Sequence, residues 1–251
     1  MDRDLDTAMC DLAERQHSVV SRCQARNLGA DRWALRRRVA SGRWQLATPE
    51  VLRLAGVAGS FTQRCMVAVL HAGEGAAVSH LAAAALWGVP GFSEERVEVS
   101  RQRGAARHRS LPARLHEPRY LPEHHCTVRY GVPVTSVART MFDLSARLHP
   151  QRTERALENA LTRKLVTLKA LHAVTIELVE HGRTGSALMR QLLADRGVGY
   201  IPPASGLEAR FLALLAAAGL DLPACQVDLG GESWIGRVDF YYCHVRLIIE
   251  I

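Results

Sequence analysis

Val245-Arg246-Leu247-Ile248-Ile249 is an almost unbroken apolar run at the far end of the chain, and such a run predicts a strand covered on both faces. A strand of this kind cannot stand alone. It needs partners along its hydrogen-bonding edges and layers above and below it. The preceding Gly236-Arg237-Val238-Asp239-Phe240 supplies the first partner, as an antiparallel strand joined by a tight turn. Because the sequence reaches Ile251 inside this element, the expectation is a longer parent protein cut short.

The rest of the chain has material for two or three small units with cores of their own, given 251 residues of which 48% are hydrophobic. The formal net charge of +7 is uneven. Residues 201–251 carry three basic and six acidic side chains, so the excess lies in the first 200 residues. A basic body of this size suits an anionic partner such as nucleic acid. It equally suits a solvated basic face. The six cysteines show no CxxC pair, and free thiols are expected. His124-His125-Cys126 is a dense group of ligand types, but on an extended segment neighbouring side chains point apart, so no metal is expected there. The first residues lack a signal-peptide pattern, and no apolar run approaches the ~20 residues of a membrane span. These features predict a cytoplasmic protein with no membrane partner.

The fold class read from the pattern is α+β, in three parts. In residues 1–58, Leu5, Met9, Leu12 and Ala13 recur at helical spacing, and that helix ends near Gln16-His17. Ser21 caps a short helix over 22–27, Leu28-Gly29 turns, and Asp31 caps a third helix to about Ser41. A hairpin follows over 43–54. Three helices and a hairpin at these spacings predict a winged helix-turn-helix. Its third helix displays Arg32, Arg36 and Arg37, with Arg43 just beyond, and guanidinium groups there suit phosphates or the guanine edge in a major groove. A surface helix solvated by arginines in a protein-binding domain is the competing account.

Residues 59–200 read as a mixed α+β domain with a helical end. Helices are expected over 61–72, from Val78 to Trp87, over 136–146 with Thr135 as cap, and at 153–163, 168–181 and 185–196. Strands are expected near 97–100, 113–116 and 127–130. Arg101 and Arg103 open a basic, glycine-containing loop through Arg109 that could track a phosphate backbone. Val78-Ser79-His80-Leu81-Ala82-Ala83-Ala84-Ala85-Leu86-Trp87-Gly88 and Gly131-Val132-Pro133-Val134-Thr135-Ser136-Val137-Ala138-Arg139-Thr140-Met141-Phe142-Asp143-Leu144 resemble signatures of AbiEi-type antitoxins of type IV toxin–antitoxin systems. The resemblance covers about residues 5–180. It implies binding to operator double-stranded DNA and a nucleotidyltransferase-type toxin as partner. It implies no catalysis in the middle domain, and His80 is read as a core or capping residue.

Residues 201–251 pair an amphipathic helix with strands at 226–229 and 237–241 and the closing apolar strand. Glu208, Asp239 and Glu250 on successive elements resemble the Vsr-like branch of PD-(D/E)xK nucleases, an incomplete restriction-endonuclease-like α/β domain. The resemblance implies Asp239 and Glu250 as Mg²⁺ ligands, with Glu208 auxiliary and all three catalytic. A tight turn over 242–245 would pair Asp239 with Ile248 and leave Glu250 a diagonal neighbour ~7–8 Å away; a loop two residues longer would set the two acids opposite. Two converging carboxylates suit a hard divalent cation that activates water for phosphodiester hydrolysis. An ion pair between Arg237 and Glu250 is the alternative use of the same spacing. The family continues past its strand glutamate with a further acid, a glycine and a histidine, whereas this sequence stops at Ile251. The expected function is therefore a DNA-binding protein of toxin–antitoxin or defence type with an endonuclease domain inactive in this chain. The alternative is a non-catalytic antitoxin or repressor with a relic tail.

Overall fold

The computed structural model describes residues 2–104, 112–197, 200, 206–229 and 236–251. The architecture is α+β, with several small sheets each covered by helices.

The first elements are α1 (Asp2–Glu14), β1 (Val19–Ser21), α2 (Arg22–Asn27), α3 (Arg32–Ala40), β2 (Trp44–Thr48) and β3 (Val51–Leu54). Local signals set the helix starts. Ser21 accepts from the Gln24 amide while the Gln24 side chain accepts from the Ser21 N–H, so the two close a reciprocal cap. Asp31 caps α3 through the Ala34 amide at 2.6 Å. The three strands form an antiparallel sheet in the order β1-β3-β2. The sequence pattern does not predict β1, whose three residues follow left-handed His17 and Ser18. Trp44, fully buried, packs with Met9, Ala13, Val20, Leu35 and Leu52 to form the core of this unit.

The next part carries α4 (Phe61–Ala72), β4 (Ala77–Val78), α5 (His80–Leu86), β5 (Glu98–Ser100), β6 (Arg114–His116), β7 (Cys126–Arg129), β8 (Val132–Thr135) and α6 (Val137–Ser145). Its sheet is mixed, in the order β6-β5-β4-β8-β7, with β4–β8 and β5–β6 parallel. Ser136, rather than Thr135, caps α6, accepting from the Arg139 amide. The core under α4 takes in Val19 and Val51 from the first sheet, so the two sheets share buried apolar contacts. Polar contacts reinforce that joint: His71 Nδ1 meets Thr48 Oγ1 at 2.7 Å, and the Gln63 side chain donates to His17 O at 2.9 Å. Around α6, the helices α7 (Pro150–Thr162), α8 (Leu168–Glu180) and α9 (Ser186–Ala194) build a second core on Met141, Phe142, Leu157, Leu178 and Met189.

The last part is α10 (Gly206–Ala217) with β9 (Ala224–Leu229), β10 (Gly236–Tyr242) and β11 (Leu247–Ile249), an antiparallel sheet in the order β11-β10-β9. Phe240 is fully buried, its ring 5.2 Å from that of Phe211 on α10. The register corrects the sequence expectation. Tyr242 pairs with Leu247 and Phe240 with Ile249 around a four-residue turn over 243–246, of the expected length but one residue later, so one further step sets Glu250 opposite Asp239. The expected double cover of the closing strand is also absent from the described structure: β11 is an edge strand, and Val245, Leu247 and Ile248 are exposed. Among the described residues, no helix is long and apolar enough to cross a membrane.

Two tests follow from this packing. Gly185 starts α9 at a φ of 89°, and a Cβ there would lie 2.6 Å from Ser145 Oγ and 2.7 Å from the Ala146 nitrogen. Gly185→Ala is expected to lower stability by about 2–4 kcal/mol, combining left-handed strain with overpacking. Gly182→Ala, at a φ of 62° in open space, should cost only about 1 kcal/mol; urea unfolding separates the two. Burial pushes the Cys65 thiol up to about 12 against a smaller opposing pull from Arg64. Thiol titration at pH 8 should therefore modify the exposed Cys23 and Cys243 readily and reach Cys65 only after unfolding.

Candidate functional site

The basic face of α3 follows from its helical repeat. Ala34, Leu35 and Arg38 point inward, which leaves Arg32, Trp33, Arg36 and Arg37 on the outer face. Trp33 is 56% exposed. The guanidinium carbons of Arg32 and Arg36 lie 5.0 and 5.5 Å from its ring centroid, so two cations share one indole. This platform borders an open groove of about 720 Å³ that runs from Arg22 past Arg36, Arg37 and Val39 to the exposed Leu46 of β2. Helical spacing picks out the arginines but not Trp33; an aromatic among arginines on the outer face of a helix was the available signal. Arg43 is turned toward α1, with NH1 3.4 Å from Asp6 and NH2 3.5 Å from Cys10, although its side chain stays 55% exposed. Asp6 also holds the buried Arg38 at 2.6 Å.

The loop arginines divide. Arg101 is 3% exposed and donates to Ala72 O at 2.5 Å and to Glu117 at 3.2 Å, so its charge is spent inside the fold and not on a phosphate-tracking loop. Arg103 is exposed, with its backbone N–H on Pro118 O. Arg107 and Arg109 lie outside the described residues.

In the last sheet, the structure brings Glu208 and Asp239 together through a residue that the sequence pattern does not single out. Gln226 Nε2 donates to Glu208 Oε2 at 3.0 Å and to Asp239 Oδ1 at 3.2 Å. Gln226 sits within β9 at a φ of 52°, a left-handed conformation that costs a non-glycine residue roughly 1–2 kcal/mol. Glu208 is 3% exposed, Glu250 is exposed, and the other Asp239 oxygen accepts from the Ile251 N–H at 2.9 Å. The three acids are not among the triads whose ligand atoms lie within 4.8 Å of one another.

Two such triads exist among the described residues, and both are in the middle part: His80 with Glu98 and His116, and His124 with His125 and Glu177. The second overturns the premise that adjacent histidines point apart. Residues 123–125 form a 3-10 turn instead of an extended segment, and both Nε2 atoms reach Glu177, at 3.0 and 3.1 Å. Burial tends to raise the Glu177 carboxyl, but hydrogen bonds led by Tyr120 and then His124 hold it below the ordinary carboxylate range. In the first triad, burial lowers His80 to about 4. Burial alone would raise Glu98; its contacts with His116 and Arg147 instead lower it to about 2.

No protein-family model matches the chain, and no curated protein matches it. Among solved structures, the crystal structure of the RV2827C protein from Mycobacterium tuberculosis aligns over 80% of this chain and 84% of that chain, at 14% identity and a TM-score of 0.36. A likeness of that size assigns neither fold nor function.

The Gln226 bridge makes a direct prediction. Gln226→Leu removes both donors, leaves Glu208 buried beside Asp239, and should lower the stability of the last sheet by about 1–3 kcal/mol. Hydrogen exchange of the β9 and β10 amides checks it, with faster exchange expected there and no change in α6.

Proposed function

We propose that residues 2–54 form a winged helix that binds double-stranded DNA, with α3 as the reading helix and the β2–β3 hairpin as the wing. The observation that carries this is the shared indole: Arg32, Trp33 and Arg36 present two cations and an aromatic face on one exposed turn, beside a groove that continues to the hairpin. The element order and the β1-β3-β2 sheet support the winged-helix reading. Guanidinium groups so placed can fork onto phosphates or guanine edges, and the indole can pack against sugar or a thymine methyl. On the resemblance of the two middle-domain signatures, the remaining partner is a nucleotidyltransferase-type toxin.

The last part is read as a Vsr-like domain without nuclease activity in this chain. Support comes from the Gln226 amide, which occupies an oxygen of both Glu208 and Asp239 where Mg²⁺ would need them as ligands. DNA binding by α3 stands whether or not this part cuts.

A salt-dependent titration against duplex DNA tests the reading. The wild-type chain should bind with a negative slope of log K against log salt. In the Arg32→Ala/Arg36→Ala variant the slope should flatten by about 2 units, at roughly 0.9 for each phosphate no longer neutralised. Absence of binding, or identical slopes, would remove the DNA-reading role.

A further inference from the structure

The closing strand carries a pattern that neither DNA binding nor the bridged acids use. Among the described residues β11 lies at an edge of its sheet, and Val245, Leu247, Ile248 and Ile251 are exposed along it. The Ile251 N–H turns toward β10, donating to Asp239 Oδ2 at 2.9 Å. Strand alternation turns Ile249 and Leu247 the same way, which leaves the N–H and C=O groups of Ile248 and Glu250 along the free edge. Such a row of backbone groups beside exposed apolar side chains is a template for another strand.

The segment is complementary to itself about Ile248. Val245 mirrors Ile251, Arg246 mirrors Glu250, and Leu247 mirrors Ile249. An antiparallel copy centred on Ile248 therefore sets apolar side chains against apolar ones and each Arg246 against a Glu250. That charge pairing answers an imbalance within the single chain. Glu250 falls opposite Asp239 across β10 and β11, and like charges so placed repel. Both Asp239 oxygens are already held, by Gln226 Nε2 and the Ile251 N–H. Neither Glu250 nor the exposed Arg246 has an ion-pair partner among the described residues.

We propose that β11 pairs with β11 of a second copy of this chain, antiparallel about a twofold axis at Ile248, joining two three-stranded sheets into one. The twofold requires the same patch on both copies, and the mirrored sequence supplies it. Ile248 exchanges N–H···O bonds with its counterpart, and the Glu250 N–H donates to the Arg246 carbonyl across the axis. Leu247 packs against the second copy's Ile249 on the face that carries Phe240, and the two Ile248 side chains meet on the other. The opposite edge of the sheet does not offer this. β9 is interrupted by left-handed Gln226, which breaks the alternation that a continuous ladder needs. Assembly through β11 therefore closes at two copies.

The test is sedimentation velocity on the full 251-residue chain from micromolar to sub-millimolar concentration. Reductant is present so that the exposed Cys23 and Cys243 cannot cross-link. A monomer–dimer equilibrium is expected. Ile248→Lys sets two cations at the axis and should leave monomer throughout. Arg246→Glu and Glu250→Arg each create two like-charge contacts and should weaken the dimer by about 10-fold or more. An equimolar mixture of these two variants should dimerise again, because every contact between positions 246 and 250 then joins Glu to Arg. Circular dichroism checks the fold of each variant, and mixing could not restore a dimer to chains that had failed to fold. Monomer at every concentration, assemblies larger than two, a dimer indifferent to Ile248→Lys, or no recovery in the mixture would overturn the proposal. No DNA enters the experiment, so its outcome is separate from that of the α3 titration.

Discussion

The buried ion pair between Arg139 and Asp143 is the constraint around which the middle of this protein is organised. The two lie one turn apart on α6 at 3.0 Å, with Arg139 0% and Asp143 1% exposed. Charges so deep stay in place only when each is matched, since removing one partner leaves the other uncompensated at a cost of about 3–5 kcal/mol. The matching partners come from several segments. Arg183, just before α9, contacts the second Asp143 oxygen at 3.3 Å, and Arg139 reaches His125 and the Tyr120 carbonyl. One helix thereby fixes the 3-10 turn before β7 and the entry to α9. The 3-10 turn in turn aims His124 and His125 at Glu177 on α8.

Both middle-domain signatures thus carry their polar residues inward. Ser79 and His80 of the first enter the cluster with Glu98 and His116; Arg139 and Asp143 of the second anchor α6. A buried hydroxyl, imidazole or carboxylate needs a partner of suitable geometry, and those partners lie far away in sequence: Ser79 bonds Ser100, and Glu98 bonds Arg147. Of the two readings of His80, core or capping residue, the geometry gives the core one: the ring is buried, meets Ser79 Oγ and stacks on His116.

What the sequence made legible was what short-range chemistry decides. Ser21 and Asp31 start α2 and α3 because their side-chain oxygens accept from amides three residues on. The hairpin over residues 44–54 and the exposed pair Arg32 and Arg36 follow from period alone. Long-range choices were not legible. Nothing local marks Val19–Ser21 as a strand until Val51 is placed beside Ser21. The Asp239 register depends on where the four-residue turn falls, at 243–246 and one residue later than expected. Gln226 matters only because a left-handed backbone swings its amide between acids 18 residues before and 13 residues after it.

The same distinction decides how the positive charge is to be used. Arg38, Arg101, Arg139 and Arg196 are each at most 7% exposed, and each has a carboxylate partner: Asp6, Glu117, Asp143, and Glu154 with Glu158. Buried pairs of this kind hold elements together and add little to the field outside the protein. Arg32 and Arg36 are placed differently, against an exposed indole whose face lowers the cost of holding two like charges a turn apart. An anionic polymer approaching this chain meets that turn with its counterions still to release. Counting arginines could not separate these two populations. Their burial does, and it leaves Arg32 and Arg36 of α3 displayed with a defined geometry.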